Sequence, residues 1–400
     1  MHIVYIHQYF KTPAEAGGTR SFFISQELIK NGHTVTMIAA RPEGQTEAVV
    51  KKQVEGIDVI YIRNPYSNRM GIIQRAKSFF RFMWKSTRVL FKQKKVDLVI
   101  ATSTPLTVGV PALLYKKLRK VPYLFEVRDL WPEVPIQMGA LNNPVPRKMA
   151  LWLEKKIYKN AAHIVALSPG MKEGVVNVLG HDDNVSMIPN MAKPEKFWRR
   201  NKNMTLLKEL GLREESFKLI HFGAMGIANG LDYIMDAAKI VQEETYQDIE
   251  FVFLGDGAVV DKLRQRKAEE NIDNVSFIPK KPMDITSEIV NLCDVSLVTF
   301  LNLPILYTNS PNKLFDSLSA GIPVVVNSSG WTRTMVEENQ CGAYVDPEKP
   351  EELAALAMQW KNNPASLAKM GKKARKLAET KYDKTILCRE FVKAVNSINT

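Results

Sequence analysis

Thr308-Asn-Ser-Pro-Asn-Lys-Leu-Phe-Asp-Ser-Leu-Ser-Ala-Gly-Ile-Pro-Val-Val-Val-Asn327 reads as a polar turn, a short helix, a break and a buried strand. The helix begins near Pro311, the break is Gly321-Ile322-Pro323, and the strand is Val324–Val326. Proline early in a helix removes only an N–H that has no partner within the helix. The turn Asn309-Ser310-Pro311-Asn312 therefore directs free backbone amides outward, with Lys313 in the first turn. A helix N-terminus beside a lysine is an anion site. One turn further on, Asp316 can accept two hydrogen bonds from a diol. A phosphate site and a diol site a turn apart describe a nucleoside diphosphate and its ribose. The plain alternative is a capped helix with a solvated aspartate, and spacing alone leaves both open.

Outward from this segment, strand-length apolar runs alternate with helical patterns, the signature of parallel α/β sheets. In the first half the strands are expected at His2–His7, Thr34–Ala39, Asp58–Tyr61, Leu98–Thr102, Tyr123–Val127 and Ile164–Leu167. The second half restarts at Lys218–Gly223 and continues through Ile249–Leu254, Asn274–Ile278, Val295–Thr299 and Pro323–Val326. This divides the chain into domains at 1–190 and 216–382, a charged linker at 191–215, and a terminal helix at 383–400.

Other stretches point to chemistry at the ends of strands. Gly17-Gly18 stands between the first strand and a helix that carries Arg20, where glycine lets a ligand approach the backbone. The pattern is not Gly-x-Gly-x-x-Gly, which disfavours a nicotinamide enzyme. After the strand Tyr123–Val127, the segment Glu126-Val-Arg-Asp-Leu-Trp-Pro-Glu133 gathers Arg128, Asp129 and Glu133 where parallel sheets place ligands. An Arg–Asp pair bracing the loop is the alternative. A second glycine turn, His221-Phe-Gly-Ala-Met-Gly-Ile-Ala-Asn-Gly230, contains Gly223 and Asn229. The six histidines show no i,i+4 pair and there is no Asp-x-Asp, so no metal site is expected.

Composition sets outer bounds. The chain has 400 residues with 55 Lys+Arg against 42 Asp+Glu, a net charge of +13 that implies an anionic partner. Nucleic acid, anionic lipid and a phosphorylated substrate all satisfy that charge. Apolar runs are too short for a membrane-spanning helix, and the chain opens on a strand, so no signal peptide is expected. Three scattered cysteines, Cys293, Cys341 and Cys388, fit a reducing compartment, hence a cytoplasmic protein. Over Gly71–Lys95, residues Lys77, Arg81, Lys85, Arg88, Lys92 and Lys95 share an arc of about 80°. Ile72, Ala76, Phe79, Phe80, Met83 and Leu90 fall opposite, with Trp84 and Phe91 at the border. Such a helix is expected either to meet an anionic membrane surface or to be an ordinary surface helix with its apolar side in the core.

The tail Ala320-Gly321-Ile322-Pro323-Val324-Val325 resembles the donor-binding motif of GT-B glycosyltransferases, in particular the large retaining family 4. The order of the Gly17-Gly18 loop, Glu126-Val-Arg-Asp129, the glycine turn and Pro311-Asn-Lys313 extends the resemblance over nearly the whole chain. In that family two glutamates precede the tail; here their positions hold Thr308 and Asp316. The resemblance implies two Rossmann-like domains facing across a cleft, with the C-terminal helix crossing back to the first. It implies that Asp316 holds a ribose, that Ile278 lies where the backbone reads a nucleotide base, and that Gly17, Gly18 and Arg20 meet the diphosphate. The family's Arg and Lys of the glycine turn fall on Ala224 and Asn229, leaving Lys313 and Arg20 to compensate. A sugar-contacting histidine of the family falls on Arg128 or Asp129, which with Glu133 are the expected catalytic residues. The string is similar to a bacterial capsule and O-antigen subgroup that handles N-acetylated amino sugars, such as N-acetyl-fucosamine. The implied activity is metal-independent, retaining transfer from a UDP-sugar to a polyprenyl-diphosphate-linked or other saccharide acceptor. The implied location is the inner face of the plasma membrane. A UDP-sugar 2-epimerase of the same fold is the alternative, and no nucleic-acid motif is present.

Overall fold

The computed structural model describes residues 1–15, 17–41, 47–67, 70–244 and 248–399. The chain divides into two units. Met1–Thr12, Gly18–Pro189 and the chain from Thr385 onward make the first, and Pro13–Gly17 with Asn190–Lys384 makes the second.

The first unit is built on β1 (His2–Ile6), β2 (Thr34–Arg41), β3 (Val49–Val54), β4 (Ile57–Arg63), β5 (Leu98–Thr102), β6 (Tyr123–Val127), β7 (His163–Ala166) and β8 (Val185–Met187). Their order across the sheet is β3-β4-β2-β1-β5-β6-β7-β8. Only the β3–β4 pairing among them is antiparallel. The central strands are apolar runs because a parallel strand is covered on both faces. Ile3, Val4, Tyr5 and Ile6 are all fully buried.

The helices are α1 (Arg20–Lys30), α2 (Ile72–Phe91), α3 (Gly109–Arg119), α4 (Glu133–Gln137), α5 (Pro144–Asn160) and α6 (Pro169–Leu179). Crossovers between parallel strands are right-handed, so the reversal of direction between β2 and β5 sends α1 to one face and α2, α3, α5 and α6 to the other. Accordingly α2 packs on α3, α3 on α5, and α5 on α6.

The second unit contains β9 (Phe217–Ala224), β10 (Ile249–Asp256), β11 (Val275–Pro279), β12 (Val295–Val298), β13 (Val324–Val326) and β14 (Gly342–Tyr344). All are parallel, in the order β11-β10-β9-β12-β13-β14. Its helices are α7 (Met204–Glu209), α8 (Asp232–Glu243), α9 (Val260–Glu269), α10 (Met283–Leu292), α11 (Asn312–Ala320), α12 (Trp331–Glu338), α13 (Pro350–Lys361) and α14 (Pro364–Thr380). One core lies under α8 and α13 around Phe251, Phe253 and Trp360; a second lies around Phe222, Ile289 and Ile322.

One expectation about organisation, the linker, is revised. The stretch 191–215 is not a free linker but part of the second unit, where Met191, Ala192, Phe197, Leu207 and Leu212 are buried. The last helix, α15 (Lys384–Asn396), joins the first unit within one residue of its start. It buries Leu387, Phe391 and Val395 and brings Arg389 to 3.8 Å from Glu27 of α1.

Candidate active site

In the second unit, the segment that opened the sequence reading becomes α11. Pro311 is its N-cap rather than its first residue, and no side chain caps the exposed amides. From Lys313 to Ala320 every residue is buried. Burial pushes the Lys313 ammonium down to about 7, because a desolvated cation is costly. Its Nζ lies 2.9 Å from Nε2 of His221 on β9. Burial first, and Lys313 second, hold His221 well below its ordinary range, so the imidazole is neutral and accepts from the lysine.

Gly223, one residue before the end of this strand, takes φ +107, with Lys313 Cε 3.8 Å from where a Cβ would sit. On the neighbouring strand a Cβ at Gly255 would fall 1.9 Å from the Gly223 carbonyl oxygen, so the two strands meet here because Gly255 has no side chain. The result is a lysine held against bare backbone at a helix start.

One turn along α11, Asp316 Oδ1 is 2.6 Å from Nζ of Lys193. Both side chains are buried. Burial raises the Asp316 carboxyl, and Lys193 opposes that rise. The pair therefore places a second cation against the same helix. Lys193 was hidden within the expected linker, and its backbone N–H donates to Ser319 Oγ at 2.9 Å.

The remaining donor-site candidates of this unit have defined jobs. Ser310 Oγ accepts from the Asn190 N–H at 3.2 Å, and the Asn309 carbonyl accepts from Trp331 Nε1 at 2.7 Å, so both fix the turn before α11. Asn229 Oδ1 accepts from the Gly226 N–H at 3.1 Å, so this side chain closes the glycine turn. Ile278 buries its side chain in the core, while β11 is an edge strand whose outer backbone groups lie outside the sheet ladder.

In the first unit, Arg20 corrects the sequence reading. It is 1% exposed, and its Nε donates to Glu126 Oε1 at 2.7 Å. Its other nitrogens donate to the carbonyls of Pro189 and Ile188. Glu126 also accepts from Tyr5 Oη at 3.1 Å and Thr102 Oγ1 at 2.6 Å. Burial alone would raise this carboxyl, but Arg20, Arg128 and these hydrogen bonds hold it below the usual range. A guanidinium with all three nitrogens engaged inside the unit is a structural brace, not a diphosphate ligand. Of the loop before it, Gly17 takes φ +141, which glycine alone adopts readily, and falls to the second unit, whereas Gly18 falls to the first.

Beyond the brace, residues converge at the carboxyl ends of β1, β5 and β6. Arg128 reaches His7 Nε2 at 3.0 Å, and His7 Nδ1 lies 2.7 Å from Ser21 Oγ. Asp129 Oδ2 accepts from Thr104 Oγ1 at 2.5 Å. Burial pulls the Asp129 carboxyl upward, against the Thr104 hydrogen bond and the Arg128 charge. Glu133 does not join them: it starts α4, accepts from Gln137 at 2.8 Å and acts electrostatically on Glu154. Tyr9, Tyr66, Phe79 and Trp131 form a chain of ring contacts of 5.0, 5.9 and 6.0 Å, so the Trp131 loop beside Asp129 is tied to α2. His7 and Thr104 were missed by sequence reading; only their places at strand ends could have signalled them. Among the described residues no group of three or more His, Cys, Asp or Glu is placed to hold a metal.

Residues 203–377 match the family Glycosyl transferases group 1, and residues 18–191 match the Glycosyl transferase 4-like domain. Two doubly wound units bearing these two matches decide the assignment. The chain is a glycosyltransferase of the GT-B type. This glycosyltransferase is 23% identical over 373 residues to the "Probable glycosyltransferase WbjE" of Pseudomonas aeruginosa, covering 91% of this chain and 90% of that one. It superposes on a sucrose-phosphate synthase from Thermosynechococcus elongatus with a TM-score of 0.78 at 15% identity, over 99% and 98% of the two chains. Against Anabaena Alr3699/HepE, a structure in complex with UDP and glucose, the TM-score is 0.72 at 16% identity, over 99% and 100%.

Proposed function

We propose that the enzyme moves a sugar, an N-acetylated amino sugar in our reading, from UDP to a lipid-linked saccharide. The transfer retains the anomeric configuration and serves surface-polysaccharide synthesis. The observation that carries this reading is the Lys313–His221–Gly223 cluster at the start of α11, followed one turn on by Asp316 with Lys193. UDP in the similar Anabaena protein supports the choice of nucleotide.

In this mechanism the bond from the anomeric carbon to the β-phosphate oxygen breaks as the acceptor oxygen bonds to the same face of that carbon. The acceptor proton passes to the departing phosphate, giving UDP and the extended acceptor. The protein's task is to meet the charge that grows on the diphosphate, and preorganised donors do this without rearranging. Lys313 and the α11 amides are those donors, and no metal is required for the step. Asp316 binds the ribose. Asp129, held by Thr104 and flanked by Arg128, orients the acceptor hydroxyl or the transferred sugar; Glu133, outside this group, is left with a supporting role through α4. The enzyme works in the cytoplasm on the inner face of the plasma membrane, where α2 meets anionic headgroups.

The donor is tested by thermal shift with UDP-, GDP-, ADP- and dTDP-sugars in EDTA. A ligand at 100 times its Kd stabilises by about 2.7 kcal/mol, so the UDP series stands out from the rest. Equal shifts for all four, or none without added metal, defeat the assignment.

Lys313 also sets a pH dependence. The diphosphate needs the ammonium form, which is fully present below the lysine's pKa of about 7 and is lost above it. UDP affinity therefore falls as pH rises past 7, by up to about tenfold per unit. Calorimetry between pH 6 and 9 reads this slope, and a flat profile removes Lys313 from the site.

A further inference from the structure

The positive surplus of this chain is not spread over its surface. Helices α2, α3 and α5 together hold thirteen Lys and Arg and one carboxylate, Glu154, which is buried. The rest of the chain is left with 42 cations against 41 carboxylates. The whole net charge of +13 thus belongs to one layer of three adjoining helices on one face of the first sheet, give or take one charge.

The same layer exposes apolar side chains that water would ordinarily drive inward. On α2, Ile72, Ile73, Phe80 and Trp84 are 57–72% exposed. This revises the expected facing of that helix, because its buried side is Ser78, Phe82, Ser86 and Leu90. Ser78 Oγ donates to the Pro65 carbonyl and Ser86 Oγ to that of Met83, so these small residues satisfy their hydroxyls and let α2 sit close. Lys85 likewise turns inward to the Arg63 carbonyl, at 2.9 Å. On α3, Leu114 and Leu118 face solvent; on α5, Val145, Met149, Leu151 and Trp152 do. Ten of the sixteen large apolar side chains exposed among the described residues lie on these three helices.

The two outer helices also repeat one arrangement. Arg88 stacks over Trp84 at 5.2 Å, and Lys156 lies over Trp152 at 5.9 Å, each four residues along its helix. Tryptophan with a cation held on its ring suits the boundary between headgroups and acyl chains, where one end is dry and the other charged. A phosphate-tracking surface for nucleic acid has no use for exposed Ile, Leu, Val and Met, which gain only from entering an apolar phase.

We infer that α2, α3 and α5 form a single docking face for an anionic phospholipid bilayer, with Trp84 and Trp152 as paired anchors at its two sides. The inference rests on the membrane-bound acceptor proposed above for its purpose only; the face binds lipid whatever sugar is moved. It also explains how a chain in which no described helix is long and apolar enough to cross a membrane reaches a lipid-linked acceptor.

The test is co-sedimentation of the full chain with vesicles of phosphatidylcholine containing phosphatidylglycerol, and with phosphatidylcholine alone, at 0.15 M salt. The wild type sediments with the first and not with the second. Reversing Lys155→Glu and Lys156→Glu on α5 removes cations worth up to about 1 kcal/mol each, so partitioning falls by about thirtyfold. Met149→Ser with Trp152→Ser weakens it by a comparable factor while leaving charge intact. All four side chains are exposed, so circular dichroism and UDP-induced thermal shift stay at wild-type values. Wild-type sedimentation by both α5 variants overturns the three-helix face, as does stronger competition by a single-stranded RNA oligomer than by soluble lipid headgroups. Lipid binding without a UDP response fails the glycosyl-transfer reading and leaves the docking face standing; a UDP response without lipid binding does the reverse.

Discussion

Lys313→Met lowers kcat by about 10²–10³ while the protein melts no earlier than the wild type. Methionine keeps most of the volume of the lysine stem, so the buried site stays filled. What goes is an ammonium whose burial lowers its pKa to about 7. Relief of that desolvation offsets the lost hydrogen bond to His221, and Tm holds or rises. The rate falls because the charge matters most when the diphosphate leaves, so the loss appears in kcat more than in KM. Turnover within a few fold of wild type, or a fall in Tm large enough to account for lost activity, assigns Lys313 to structure.

The second large effect is on stability. Glu126→Gln leaves the Arg20 guanidinium buried without its counter-charge, which costs about 3–5 kcal/mol. For a unit of this size that is a fall in Tm of roughly 6–20 °C. Arg20→Met strands Glu126 in the same way. The double variant, with Glu126→Gln, costs much less than the sum of the two, because no unpaired charge remains. UDP affinity per folded molecule stays constant throughout. Additive losses, or single variants that keep their Tm and lose UDP, return Arg20 to the donor site.

The misreading of Arg20 shows where sequence runs out. Its neighbours in the chain, Gly17 and Gly18, signalled a ligand loop, but its true partner Glu126 is 106 residues away. Lys193, His221, His7 and Thr104 escaped notice for the same reason: each acquires its role from a contact that only tertiary folding makes. Lys313 was legible because its place is set locally, by Pro311 and the helix it caps. The sheets were legible because buried parallel strands are apolar throughout. β3 was not, since Val49-Val-Lys-Lys-Gln-Val54 lies at an edge and keeps polar side chains in water, and the three-residue β8 and β14 lack the valine run that marks the equally short β13. On α2 the basic arc was found and Phe80 was grouped with the apolar side, but the fold exposes Phe80 and buries serines whose hydroxyls bond to backbone.

That α15 belongs to the first unit has a consequence for the birth of the protein. A ribosome delivers Pro189 and then makes nearly two hundred further residues before Leu387, Phe391 and Val395 can cover the first unit's open flank. At about 5–20 residues per second that interval is on the order of 10–40 s. Through it the nascent first unit displays uncovered core, the kind of exposed apolar surface on which incomplete folds aggregate. Closure of the first unit's core thus waits on α15.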